Sequence, residues 1–168
     1  MLVNPYQVGF KKIFESREKD IRECLGPRPR IEHFGSTAVP DLAGKGVIDI
    51  LIGFRSGAEL QAAVPKLISH GYFLSKKGQS KRGDRNFLSS REKESRVGDV
   101  HVHLVLGKSE DFKRVLRFRN RLRRNKKLRE SYLKIKKEAA GSAGGKRELY
   151  TKLKSEFIEA ASKPRLAL

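Results

Sequence analysis

The sequence predicts an α/β (α+β) domain with its strands in the first half and a helical C-terminal half. Three patterns carry that prediction. Val47-Ile48-Asp49-Ile50-Leu51-Ile52 is a near-continuous aliphatic run, as in a strand covered on both faces. Val100 to Leu106 alternates His101, His103 and Val105 on one face with Val102, Leu104 and Leu106 on the other. From Ser109 onward apolar residues recur only at helical spacing. The first such stripe is Phe112, Val115, Leu116 and Leu122, and the second is Leu128, Tyr132, Leu133 and Ile135. After a break at Gly141 to Gly145, the third is Leu149, Leu153, Phe157 and Ile158.

The remaining elements follow from local chemistry. Asn4-Pro5 reads as a helix start, Asn as cap and Pro at the first helical position. Phe10, Ile13, Phe14, Ile21, Cys24 and Leu25 continue that helix until Gly26-Pro27 stops it. Arg30 to Gly35 is short and extended. Ser56-Gly57-Ala58-Glu59 has the form of a capping box opening a helix to Ser69, which Pro65 should kink or shorten. Tyr72 to Ser75 and Asn86 to Ser89 are strand candidates around a basic loop, Lys76 to Arg85, and Arg91 to Asp99 is a second polar loop. The predicted order is α-β-β-α-β-β-β-α-α-α, one domain over residues 1–161 with 162–168 as a frayed tail.

At 168 residues the chain can bury a core without disulfides. Its single cysteine, Cys24, cannot form an internal bridge, which suits a reducing compartment, and its helical position points inward. The N-terminus lacks a signal-peptide pattern, and no stretch approaches the roughly 20 apolar residues of a membrane span. The expectation is a soluble cytoplasmic protein. A net charge of +19 dominates the composition. Residues 1–107 hold 18 basic and 12 acidic side chains, and residues 108–168 hold 20 and 7, so the helical half is the more positive. Such a field attracts polyanions such as nucleotides or nucleic acid.

The chemistry-bearing segment runs from His33-Phe34-Gly35-Ser36-Thr37 through Val39-Pro40 and Gly44-Lys45 to Asp49. A Gly-Ser pair closing a strand suits a phosphate: glycine admits close backbone approach, and the hydroxyl with neighbouring N–H groups can donate to phosphate oxygens. Asp49, thirteen residues after Ser36, interrupts an apolar strand where an unpaired carboxylate is costly. It needs a divalent cation, a basic partner or a polar cavity. His101 and His103 share a strand face and could ligate one ion together with Asp49, their imidazoles favouring Mn or Zn over Mg. The arginine-rich run Arg117 to Arg129 reads as a solvated helix face, with few aromatic residues to stack on bases.

The string from His33 to Asp49 closely resembles the signature of the GrpB family, and the resemblance covers nearly the whole chain. Tyr6 through Phe14 resembles the family's aromatic opening, with Phe10 where tryptophan is usual. His101-Val102-His103 resembles its histidine-rich strand. Phe118-Arg119-Asn120-Arg121-Leu122-Arg123 resembles its phenylalanine-arginine-aspartate helix with Asn120 in place of the acid, and Tyr150 to Ile158 its closing helix. Asp41 stands where glycine is common and Gly46 where proline is common. The resemblance implies a nucleotidyltransferase-like fold, a mixed β-sheet flanked by helices, related to DNA polymerase β. It implies Asp49 and Ser36 as catalytic residues, and Gly35, Ser36, Thr37, Lys45, Arg119 and Lys154 as phosphate- or nucleotide-binding. Asp49, His101 and His103 would hold a divalent metal, Mg or Mn, with Zn as a further option. The superfamily's acid-x-acid pattern reads Asp49-Ile50-Leu51 here, so its second carboxylate is absent.

Two functions lead this reading, with metal-dependent hydrolysis of a phosphoester a third, favoured if Zn or Mn occupies the His101-His103 site. In the first, the chain binds a nucleoside triphosphate or another phosphorylated small molecule and transfers a nucleotidyl group to a small acceptor. In the second, it is a non-catalytic module binding nucleotide, or nucleic acid through its basic C-terminal helices.

Overall fold

The computed structural model describes residues 4–75, 84–92, 96–142 and 147–163. Helix α1 (Gly9–Leu25) leads to strand β1 (Arg30–Phe34), a 3-10 turn (Ser36–Ala38) and β2 (Ile48–Phe54). Then come α2 (Gly57–Ser69), β3 (Phe73–Leu74), β4 (Arg85–Ser89), β5 (Val100–Leu106), and helices α3 (Glu110–Arg124), α4 (Lys126–Ser142) and α5 (Arg147–Ser162). The strands form one sheet in the order β1-β2-β5-β4-β3. β2 and β5 are parallel and the other pairs antiparallel, so the sheet is mixed.

Each sheet face has its own cover. Ile48, Ile50, Ile52, Val102 and Leu104 meet α1 and α2 in the main core, where Phe10, Ile21, Leu60 and Leu67 are almost fully buried. Cys24 is partly buried against this core, as its helical position predicts. The opposite face carries Leu51 and Val105 against Phe112 and Leu116 of α3. Gly53 makes that contact possible, since a Cβ there would lie 2.7 Å from the Phe112 ring. A separate core joins Val39 and Leu42 of the β1–β2 connection to Phe118, Leu122, Tyr132, Phe157 and Ile158 of the three C-terminal helices. Through that core the helical half is pressed against the Gly35-Ser36 turn.

Several local expectations need correction. Asn4 does not cap α1, which begins at Gly9; instead the Asn4 and Gly44 backbones exchange two hydrogen bonds. Ser56 caps α2 through the Glu59 N–H, but the Glu59 carboxylate bonds the N–H of Arg55, one residue before the cap. α2 runs through Pro65 to Ser69. Gly141 lies inside α4. Ser162, expected to begin a frayed tail, is 1% exposed and closes α5, while residues 164–168 lie outside the described residues. The same holds for 76–83 of the first basic loop, 93–95 of the second, and the Leu149, Tyr150 and Leu153 side chains.

The basic run also differs from a solvated face. Arg117 and Arg121 donate to the carbonyls of Ser162, Ala161 and Lys163 at the end of α5. Arg123 donates to Ala38 O, and Arg129 to Leu122 O and Arg123 O. Helix ends leave carbonyls without intrahelical partners, and guanidinium groups supply donors in a rigid fork. Much of this charge therefore holds the helices together. Among the described residues no helix is long and apolar enough to cross a membrane.

Candidate functional site

Gly35 and Asp49 make a tight junction at the centre of the site. Gly35 closes β1 with φ 73° and ψ −169°, a region open essentially to glycine alone. A Cβ at Gly35 would sit 2.1 Å from Asp49 Oδ2, so the glycine is required for space as well as conformation. The sequence suggested that this glycine makes room for a phosphate; the group it directly makes room for is the Asp49 carboxylate. Ser36 opens the 3-10 turn, with its Oγ lying over Gly44, where a Cβ would come within 2.1 Å of it.

Thr37 and His33 brace the turn from behind. Thr37 is 2% exposed, and its hydroxyl donates to Val47 O at 3.1 Å. That leaves the oxygen to accept from His33 Nε2 at 3.0 Å, which places the His33 proton on Nε2. The His33 ring stacks on Phe14 at 4.6 Å, and burial holds its pKa down to about 4. The Thr37 side chain is thus a strut between the turn and the start of β2, its hydroxyl committed to His33 and Val47.

Asp49 pairs in register with His101, and Leu51 with His103. His101 Nδ1 lies 3.6 Å from Asp49 Oδ1, with the two side chains 27% and 25% exposed. Burial raises the Asp49 pKa, but contact with His101 and the charges of His103, His101 and Lys154 outweigh it and leave the carboxyl below its ordinary value. His103 lies one two-residue step, about 6.6 Å, farther along the strand. Its ring meets Phe34 and Phe87 edge-on at 5.1 and 4.9 Å, and burial lowers its pKa to about 4. At neutral pH His103 is therefore an uncharged wall of the site, and its charge acts on Asp49 only when the ring is protonated.

The predicted cations divide. Lys154 of α5 acts electrostatically on both Asp49 and His103, so its charge is felt at the site. Lys45 adjoins Gly44, and its carbonyl accepts from Asn4 Nδ2. Arg119 is committed elsewhere: its guanidinium, 11% exposed, bonds Glu32 at 2.7 Å and His33 O at 2.8 Å. The phosphate clamp expected of Arg119 is replaced by an ion pair joining α3 to β1.

Sequence reasoning missed Lys136. It is 4% exposed, donates to Ala43 O and lies 4.8 Å from the Tyr132 ring centroid. The missing Cβ of Gly44 would lie 3.9 Å from its Nζ as well as against Ser36 Oγ. Burial, then the nearby Lys154, lowers its pKa to about 8. Leu128, Tyr132 and Lys136 fall at i, i+4 and i+8 of one helix, so a lysine on the inward stripe was the available signal.

With this geometry in view, the comparisons with known proteins are informative. The GrpB protein family model matches residues 1–163. The chain belongs to the GrpB family. A UPF0157 protein of Halalkalibacterium halodurans is 30% identical to it over 92% of this chain and 76% of that protein. One from Vibrio cholerae is 33% identical over 92% and 76%. The crystal structure of GrpB from Enterococcus faecalis superposes with a TM-score of 0.76 at 25% identity, covering 96% of this chain and 100% of that one. The Cid1 poly(U) polymerase with MgGTP bound superposes with a TM-score of 0.57 at 13% identity, over 82% of this chain and 45% of that one. The fold is nucleotidyltransferase-like.

Two departures from the GrpB pattern now have physical readings. Asp41 has φ 63°, and it is the one non-glycine at positive φ among the described residues. Aspartate tolerates that region better than most side chains, so it can stand where relatives commonly have glycine. Gly46 has φ 75°, which proline cannot adopt, so this loop backbone would not accept proline at that position.

The metal expectation fares differently. Among the described residues no group of three or more His, Cys, Asp or Glu side chains is placed to hold a metal ion. Leu51, at the second carboxylate position, is 2% exposed and packed against α3, and His103 is turned between two phenylalanine rings. The residues present do not form a cradle for two ions, nor the Asp49-His101-His103 set expected for one.

Proposed function

We propose that this GrpB chain binds a nucleoside triphosphate, or a phosphorylated anion of similar charge, over the Gly35-Ser36 turn and transfers its nucleotidyl group to a small acceptor. The observation that carries the reading is the arrangement across Gly35. A hydroxyl-bearing turn, an ionised carboxylate pressed against it and the charge of Lys154 meet at one place. Ser36 and the turn's N–H groups donate to phosphate oxygens, and Lys154 offsets their charge. In the transfer, an acceptor hydroxyl oxygen bonds to the α-phosphorus as the bond to pyrophosphate breaks. Asp49 is the carboxylate placed to take the acceptor's proton. The Cid1 structures that share the fold hold MgGTP and Mg 3'-dATP, which supports a nucleotide as the ligand class.

The test is a thermal-unfolding screen of wild type, Ser36→Ala and Lys154→Met against the four nucleoside triphosphates, with and without Mg²⁺ or Mn²⁺. A ligand at about 100 times its Kd adds about 2.7 kcal/mol, several degrees for a domain of this size. The shift should appear in wild type and shrink in both variants. Equal shifts in all three proteins, or none in wild type, would remove the reading.

A second reading rests on the corner between α3 and α4, where Arg124, Lys126 and Lys127 are exposed. There the chain would bind nucleic acid without chemistry. Its affinity for generic RNA or DNA should then fall steeply as salt rises, and binding insensitive to salt would exclude it.

A further inference from the structure

A buried ammonium group normally has a carboxylate beside it, because taking a charge out of water is costly. Lys136 has none. Around its Nζ are the Ala43 carbonyl, the face of the Tyr132 ring, and the point over Gly44 where Ser36 Oγ also lies. Among the described residues, the charged group that acts on it is Lys154 of α5, and that interaction is repulsive. The β1–β2 connection brings no charge at Ser36, Ala43 or Gly44. If Lys136 served only to tie α4 to Ala43 O, an apolar side chain packed on Tyr132 would hold the helix at lower electrostatic cost.

We propose that Lys136 is the cation that receives a phosphate group at the Ser36 turn, forming with Ser36 and Lys154 a three-point anion site buried under α4. The proposal rests on the reading of the turn given above and adds to it a residue and a regulation. Glycine at position 44 makes room for the Ser36 hydroxyl, and a Cβ there would lie 3.9 Å from the Lys136 ammonium, so hydroxyl and ammonium flank the same stretch of backbone. Lys154 repels the Lys136 ammonium while the site is empty, and a phosphate dianion bound there relieves that repulsion. Because the Lys136 pKa is about 8 in the free protein, part of the population is neutral at mildly alkaline pH. Anion binding then captures a proton. Affinity is full below that pKa and falls by about tenfold per pH unit above it, until the pKa of the bound form is reached.

The experiment is calorimetric titration of the full chain with ATP and with inorganic tripolyphosphate at fixed ionic strength. It is run at about pH 7 and about pH 9.5, either side of the Lys136 pKa of about 8, in buffers of differing ionisation enthalpy. Wild type should lose affinity by more than tenfold at the higher pH and take up close to one proton per ligand there. Lys136→Met should bind about 10- to 100-fold more weakly at pH 7 and lose the pH dependence, while its unfolding midpoint without ligand stays at or above wild type. Lys136→Arg, which stays charged, should bind without the alkaline loss. If Lys136→Met binds within twofold of wild type while Ser36→Ala is weakened, the role of Lys136 is refuted and the turn still binds the anion. If wild type binds neither probe at either pH, the turn is not an anion site and both proposals fall.

Discussion

Replacing Gly35 with alanine tests the junction on which the site depends, and Gly26 supplies a matched control. The two glycines share a backbone conformation: Gly35 has φ 73° and ψ −169°, and Gly26 has φ 79° and ψ −177°. Placing alanine in that region costs about 1–3 kcal/mol at either position. Their surroundings differ. A Cβ at Gly26 meets nothing within 4 Å, whereas one at Gly35 meets Asp49 Oδ2 at 2.1 Å and Cγ at 2.9 Å. Asp49 must therefore move, losing its approach to His101, which adds about 1–3 kcal/mol for a displaced charged partner. Gly35→Ala should cost about 2–6 kcal/mol and Gly26→Ala about 1–3. Urea unfolding of both variants reads the difference directly. Adding Asp49→Ala to Gly35→Ala removes the collision, so the double variant should be less destabilised than the sum of the singles. Equal costs for the two glycine variants, together with additive behaviour in the double, would show that Asp49 does not press on the turn.

Three further outcomes follow from the same structure. The folded-state pKa of His33 is about 4, below its unfolded value, so its contribution is complete above about pH 6.5 and lost as pH falls toward 4. Urea midpoints at either end of that window should differ less in His33→Phe, which keeps the stack on Phe14, than in wild type, by about 2–3 kcal/mol in stability. Gly53→Ala would place a Cβ 2.7 Å from the Phe112 ring and 2.9 Å from Gly107 Cα, and overpacking there should cost about 1–3 kcal/mol in thermal or urea unfolding. Arg119→Ala would leave Glu32, itself 20% exposed, with Arg30 at 2.8 Å as its remaining partner, removing one of the two guanidinium groups that hold its carboxyl below the usual range despite burial. That variant should lose about 2–4 kcal/mol yet keep anion affinity, which a phosphate clamp would not. Titration calorimetry on the folded fraction separates the two.

Much of the architecture was legible because the periodicities are strong. β2, β4, β5 and α3 fall within two residues of where the alternating, aliphatic and i, i+3/i+4 patterns put them. The α1 start was misread because Asn4-Pro5 has cap chemistry, but the Asn4 backbone finds a long-range partner in Gly44. For the site, Asp49 stood out because a carboxylate in an apolar strand demands an explanation. Thr37 and Arg119 looked equally suited to phosphate, yet both are held by partners distant in sequence, Val47 O for one and Glu32 for the other.

The sequence by itself determined the identity of the elements, the Gly35-Ser36 and Asp49 pair, and the loss of a second carboxylate at Leu51, because each is written in neighbouring residues. Only the tertiary structure decided which cations face that pair. Lys136 lies 100 residues from Ser36, and the core of Val39, Leu42, Phe118 and Tyr132 brings α4 down onto the turn. Composition shows a chain rich in lysine and arginine, but it cannot show that several arginines close helix ends while one lysine is buried with no counter-charge beside it among the described residues. That distinction arises from packing between segments far apart in sequence, where no local pattern records the neighbour.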